Sequence, residues 1–329
     1  MEARALYFVA PGRVEIRSTQ IPPPGAGEIL VRTKYSGISA GTEMLAYRGL
    51  LDSRTPLDER IAALEGTFEF PFSYGYSCVG RVEETPGSPP VDSLVFAFQP
   101  HQDLFTVPAS EVIPMSGVSP LTATLFPAVE TALQVALDAG EVGDRSVVVL
   151  GLGTIGALTA ILLARGGTDV IGADVSSWRR RLHPEIASCA AEVVEEEVAR
   201  RTSGEGVSLV VEATGDPAAL GTALGLLAHE GTVLVASWYG TRTATLSLGG
   251  AFHRRRLTIR STQVSTIPRH LAHEWSIERR RAVALQLLEE LPVERMITHE
   301  FRFEDAAEAF ATLDRGGDGI GHVALRYDG

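Results

Sequence analysis

The stretch from Ser146 to Asp174, SVVVLGLGTIGALTAILLARGGTDVIGAD, restricts the fold of this chain more than any other segment. A β-branched apolar run enters Gly151-x-Gly153-x-x-Gly156, an apolar helix-forming segment follows, and a second apolar run ends at Asp174. Each glycine has a steric reason. Gly151 permits the tight turn, Gly153 lets backbone approach a pyrophosphate, and Gly156 lets the helix pack closely on the strand. Thr154 and Ile155 open that helix, whose free N–H groups and positive dipole end favour phosphate. Asp174 lies 18 positions after Gly156. A carboxylate there accepts a hydrogen bond from an adenosine ribose 2′-hydroxyl and repels a 2′-phosphate, which points to NAD. Ser176, Ser177 and Arg179 follow closely, and Arg179 is placed to cover the adenine or accommodate a phosphate, so NADP stays the less favoured cofactor. A glycine-rich turn in another α/β fold is the bland alternative. A methyltransferase also carries an acidic residue at this point, but the strand-rich residues before about 115 argue against one.

Residues 1 to about 115 read as short strands broken by Pro and Gly: Arg4–Val9, Val14–Ile16, Glu28–Tyr35, Cys78–Glu84 and Leu94–Phe98. Such spacing predicts a β-barrel or partly open barrel. Between them Leu50–Phe70 carries a helix-like stretch, Leu57–Leu64, with Leu57, Ile61 and Leu64 at i, i+4, i+7. A long connection of this kind is read as a lid over a cleft or as a decoration packed on the barrel. From Ala123 the texture becomes helical, and from Ser146 strands alternate with helices, the mark of a doubly wound parallel sheet. The expected strands are Ser146–Leu150, Asp169–Ala173, Ser208–Glu212, Thr232–Ala236 and Leu257–Thr262. The expected helices are Ala123–Ala139, Ile155–Arg165, Trp178–Ala187, Pro217–Ala228 and Ile277–Glu290. The tail reads strand Thr298–Phe303, helix Glu304–Leu313 and strand His322–Tyr327.

With 329 residues the chain exceeds what one core usually supports, so two domains are expected. A formal net charge of −12 excludes an extended duplex-binding surface. The runs Arg179–Arg181 and Arg254–Arg256 then read as solvated faces, and no nucleic-acid partner is expected. Cys78 and Cys189 are the only cysteines, too few for a disulfide framework or a Cys-rich metal site. The N-terminal segment has no apolar core behind a basic start, so no signal peptide is read there. The longest apolar stretch, Ala157–Ala164, is far short of the roughly 20 residues that cross a bilayer. A cytoplasmic protein with no membrane partner is expected.

Beyond the glycine motif, PGRVEIRSTQIPPPGAGEILVRTKYSGIS near the N-terminus, VVEATG at 210–215, GTVLVASW at 231–238 and ITHEFRFEDAAEAFATLDRG at 297–316 resemble the medium-chain dehydrogenase/reductase superfamily over essentially the whole chain. SGISAGTE at 36–43 resembles its branch of bacteriochlorophyllide dehydrogenase-like bacterial oxidoreductases. The resemblance implies a GroES-like β-rich catalytic domain in two pieces, 1–117 and 296–329, around a Rossmann domain at 118–295. It implies that Thr131, Thr214, Gly215, Ser237, Trp238 and Gln263 lie around the nicotinamide, with His322 as a basic residue near the pyrophosphate. A small-molecule substrate and a homodimer are expected.

Zinc-dependent members carry Cys, a Gly-His-Glu, and a third Cys or carboxylate. Here the matched positions are Ser39 or Ala40, Tyr76 within Gly75-Tyr76-Ser77, and Pro127. Zinc prefers thiolate, imidazole or carboxylate, so no metal ligand and no zinc are expected. A relocated site of Glu43, His101 and Glu130 is the alternative that demands three displacements. Without a metal, a positioned general acid or base has to move the proton. The candidates are Thr42, Glu43, Tyr76 and His101. Each has a structural alternative: a turn residue for Thr42, a structural carboxylate for Glu43, a packed barrel tyrosine for Tyr76, and a surface imidazole for His101. The leading expectation is a zinc-independent oxidoreductase acting on a secondary alcohol or ketone. A reductase of an activated double bond and a nucleotide-binding homologue without activity are the rivals.

Overall fold

The computed structural model describes residues 1–140, 142 and 146–328. Two compact units emerge. One holds Met1–Pro127, Leu285–Gly316 and the segment from Ile320; the other holds Ala128–Ala284 with Gly317–Gly319. The first junction falls later than the 117/118 boundary drawn from the sequence. Helix Pro120–Ala123 packs on strands Glu28–Ile38 and Cys78–Glu84, which keeps this segment with the β-rich unit.

In the β-rich unit, strand Glu28–Ile38 is the hub. It pairs antiparallel with Cys78–Glu84, with Leu104–Pro108 and with the C-terminal strand His322–Arg326. Ile297–Arg302 adds in parallel beyond His322–Arg326, and Leu94–Ala97 and Ile113–Pro114 extend the other side. A smaller sheet orders Arg13–Gln20, Glu2–Ala10 and Phe72–Ser73. An aromatic core of Phe8, Phe68, Phe72, Tyr74 and Phe310 lies within this unit, with ring centroids of Phe8 and Phe72 5.2 Å apart. These side chains bury large apolar areas.

Residues 50–70 do not form the expected helix. Leu57, Leu64 and Phe68 are buried in the aromatic core and Ile61 packs against it, so the inward-facing spacing is real. The backbone, however, follows turns closed by a bridge between Pro56 and Thr67. The Asp58 carboxylate accepts the N–H groups of Arg60 and Ile61 at 2.7 and 2.8 Å, an Asx turn that competes with helix.

The second unit is a six-stranded, wholly parallel sheet. Its strand order is Ala187–Ala190, Val170–Asp174, Val147–Leu150, Val207–Glu212, Leu227–Val235, Thr258–Ser261. Counted along the unit this is 3-2-1-4-5-6, the Rossmann order, with its reversal between Val147–Leu150 and Val207–Glu212. Two helices end earlier than expected. Ser177–Leu182 stops before Pro184, which disfavours helical backbone at His183. Ala219–Leu226 gives way at Leu227 to the strand. The edge strand Ala187–Ala190 and the helix Val194–Thr202 have no counterpart in the sequence reading. Both cysteines are free. Among the described residues no helix is long and apolar enough to cross a membrane.

Candidate functional site

The glycine-rich turn sits at the carboxyl end of Val147–Leu150, where an open parallel sheet binds ligands. Gly151 has φ +89°, and a Cβ there would lie 2.7 Å from the Ala213 carbonyl oxygen. A Cβ on Gly156 would fall 1.8 Å from the Gly151 carbonyl oxygen, so only hydrogen is tolerated. A Cβ on Gly153 would meet nothing within 4 Å, leaving open space over the turn. Helix Thr154–Arg165 starts there with Gly153 as its N-cap and no side chain on its first N–H groups. Thr154 and Ile155 are half-exposed at that end. Free donors, a dipole end and open space together fit a dinucleotide pyrophosphate.

Asp174 is buried at the end of the neighbouring strand. Its Oδ2 accepts the Leu152 N–H at 2.7 Å and its Oδ1 accepts the Ser176 N–H at 2.7 Å. A carboxylate has further lone pairs, so the group stays able to accept from a ribose hydroxyl. The Arg179 guanidinium is 3.8 Å away. Across the strand reversal, fully buried Glu212 accepts the Thr214 N–H at 2.7 Å and also the Thr214 and Tyr239 hydroxyls. Gly215, with φ +76°, donates its N–H to the Ser237 hydroxyl at 2.9 Å. Trp238 is exposed beside Ser237, and Gln263 is exposed with its Oε1 accepting the Ser265 N–H. Thr131 is half-buried on helix Phe126–Ala139. Glu212 and Tyr239 escaped the sequence reading, because a lone acid closing an apolar strand carries no pattern that distinguishes it.

In the β-rich unit, Glu43 and His101 are both fully buried and their Oε2 and Nε2 are 2.7 Å apart. His101 therefore turns inward and is not a surface imidazole. Its Nδ1 is 2.7 Å from the Ser36 hydroxyl, which is 2.9 Å from the Tyr327 hydroxyl. Gly75, at φ +121°, makes room for the ring: a Cβ there would lie 2.7 Å from His101 Cδ2. The other Glu43 oxygen accepts the Ser39 N–H at 2.9 Å, and Ser39 Oγ accepts the Thr42 N–H at 3.3 Å. Tyr76, half-buried, hydrogen-bonds to the side chains of Ser39 and Thr42. Burial first, then the Glu43 charge, pushes its phenol up to about 12, against the two hydrogen bonds that pull it down. The structure thus brings all four proton-handling candidates into one cluster and adds Ser36, on strand Glu28–Ile38, and Tyr327, just past strand His322–Arg326, where the sequence carries no distinguishing signal.

His322 belongs to this unit, with Nε2 2.8 Å from the Thr124 hydroxyl. Burial alone lowers its imidazole to about 4. It is uncharged at neutral pH, which corrects the expectation of a basic residue for phosphate.

The residues that the family resemblance matches to zinc ligands are Ser39 (or Ala40), Tyr76 and Pro127. Among the described residues no group of three or more His, Cys, Asp or Glu is placed to hold a metal ion. Glu130, the third member of the relocated site, is paired instead with Arg280 at 2.9 Å. The side chains present do not fit zinc.

Residues 151–281 match the family model of the zinc-binding dehydrogenases. The chain is 23% identical over 319 residues to L-galactonate-5-dehydrogenase of Escherichia coli K12, covering 89% of this chain and 90% of that protein. It is 27% identical over 338 residues to 2-desacetyl-2-hydroxyethyl bacteriochlorophyllide A dehydrogenase of Cereibacter sphaeroides, covering 95% and 94%. The solved 2R,3R-butanediol dehydrogenase of Bacillus subtilis shares the fold, with a TM-score of 0.79 at 18% identity over 99% of this chain and 100% of that one. The chain resembles the medium-chain dehydrogenase/reductase superfamily in sequence and shares its fold, a GroES-like unit and a Rossmann unit. It is an NAD(P)-dependent oxidoreductase of that type.

Proposed function

We propose that this chain is a zinc-independent, NAD-preferring oxidoreductase that interconverts a ketone and a secondary alcohol of a small molecule, with Tyr76 as the proton carrier. The observation that carries this reading is the cluster of Tyr76, Ser39 and Thr42, backed by buried Glu43, in which Tyr76 and Ser39 stand at two positions that the family resemblance matches to metal ligands. The two relatives are named for a galactonate and a bacteriochlorophyllide, so their names leave the substrate open.

On this reading the turn Gly151–Gly156, with Thr154 and Ile155, holds the pyrophosphate. Asp174 takes the adenosine ribose and Arg179 covers the adenine. Thr131, Thr214, Gly215, Ser237, Trp238 and Gln263 surround the nicotinamide. The bound cofactor supplies or accepts the hydride. In the reductive direction Tyr76 gives its hydroxyl proton to the carbonyl oxygen as the hydride reaches the carbonyl carbon. A phenol near 12 is fully protonated at neutral pH and therefore stays loaded for donation. Ser39 and Thr42 aim the phenol and return a proton to it from water. Glu43 opposes early ionisation of Tyr76, and His101 holds Glu43 in place as a positioning residue.

Absorbance at 340 nm, followed with NADH and NADPH across a panel of ketones and alcohols, tests the reading. Turnover of a ketone with NADH supports it. Turnover only of activated double bonds rejects it in favour of an enoyl- or quinone-type reductase.

A further inference from the structure

Ser176 is gripped by two carboxylates at once. Asp174 Oδ1 accepts its backbone N–H at 2.7 Å, and Asp318 Oδ1 accepts its hydroxyl proton at 2.5 Å. Asp318 lies 142 residues away in sequence, within Gly317–Gly319, the short segment that belongs to the Rossmann unit. Its neighbours Gly317 and Gly319 have φ +118° and +86°, backbone that lets the chain deliver this acid to the end of Val170–Asp174.

We infer that Asp318 is a second cofactor-specificity residue, which acts with Asp174 to exclude the 2′-phosphate of NADP. This rests on the NAD-preferring reading above. A 2′-phosphate carries close to two negative charges and needs donors just past the second strand. Donors near that point include the Ser176 hydroxyl and the side chains of Arg179 and Arg180, and Arg180 already donates to the Asp174 and Val175 carbonyl oxygens. The Ser176 proton is committed to Asp318, and Ser176 Oγ itself accepts the Arg179 N–H at 3.2 Å as the cap of helix Ser177–Leu182. The Arg179 guanidinium already faces Asp174 at 3.8 Å. A neutral 2′-hydroxyl asks nothing of these groups beyond the Asp174 acceptor, whereas a phosphate meets two carboxylates and a Ser176 hydroxyl whose proton is already engaged. Asp318 is exposed, so its field is screened by salt over about 8–10 Å at physiological ionic strength and its effect is moderate.

The test is titration of NADH and NADPH against the wild-type chain, Asp318→Asn and Asp318→Glu, at low and high salt. Asp318→Asn keeps a hydrogen-bonding partner for Ser176 and removes the charge. The expected result is NADPH binding about tenfold tighter in Asp318→Asn at low salt, a gain that shrinks with added salt. NADH binding should shift less than about twofold, and Asp318→Glu should retain the wild-type discrimination. Unchanged NADPH affinity in Asp318→Asn overturns the inference, as does a parallel loss of both cofactors, which would mark the loop as merely structural. A wild-type chain that prefers NADPH overturns the NAD reading itself. A wild-type chain that prefers NADH, with Asp318→Asn unchanged, overturns this inference alone.

Discussion

The Nε2 of His101 lies 2.7 Å from Oε2 of Glu43, and neither side chain reaches solvent. Two groups so placed depend on one another. Removing the imidazole leaves a buried carboxylate with one partner fewer and opens a cavity under Gly75. His101→Ala should destabilise the β-rich unit by about 3 kcal/mol. His101→Gln, which keeps a donor near Glu43, should recover part of the loss. Denaturant unfolding followed by a probe in that unit checks both.

The proton-carrier role assigned to Tyr76 separates chemistry from binding. Tyr76→Phe removes the hydroxyl and keeps the ring. Its kcat should fall on the order of 10²–10⁴-fold, with NADH affinity unchanged. Rapid-mixing kinetics under single-turnover conditions, together with cofactor titration, read the two quantities separately. A wild-type kcat in this variant would remove Tyr76 from the reaction.

How much of this was legible in the sequence follows from what each residue type announces. The strand Cys78–Glu84 and the helix Ile277–Glu290 have the bounds their patterns predict, because apolar period and breakers agree there. The glycine turn was legible because steric need dictates each glycine. Helix Val194–Thr202 was not, since only Val194 and Val198 are buried on a run of charged residues. At Leu57–Leu64 the apolar spacing correctly marked the buried side chains, but Asp58 capped the backbone into turns. In the candidate site, Glu43, Tyr76 and His101 stood out by chemistry. Ser36, Tyr327 and Asp318 did not, because their partners are brought to them only by strand pairing and chain reversal.

Acid should weaken the fold through His322. Burial alone lowers its imidazole from 6.5 to about 4. An unfolded imidazole takes up a proton near 6.5, whereas the folded one resists until about 4. The neutral form's stability is therefore fully present above pH 6.5 and is lost as pH falls from 6.5 towards 4. At about 1.4 kcal/mol per unit, the loss reaches about 3 kcal/mol. Melting temperatures across that range should fall in the wild type and fall less steeply in His322→Gln.

Asp174 joins the cofactor to the turn, since it accepts the Leu152 N–H and is placed to accept a ribose hydroxyl. A hydrogen bond to a charged acceptor contributes about 1.5–3 kcal/mol, so Asp174→Ala should weaken NADH by on the order of tenfold or more and narrow the gap to NADPH. Calorimetric titration with both cofactors checks it; an unchanged NADH dissociation constant rejects the assignment.

The central claim is hydride transfer without zinc. Its most direct measurement is NADH-dependent turnover of a ketone substrate by the full chain before and after exhaustive chelation, with zinc determined on the same samples. Substoichiometric zinc and the same turnover in both are expected. About one tightly held zinc per chain, with activity lost on chelation and restored by zinc, would contradict it.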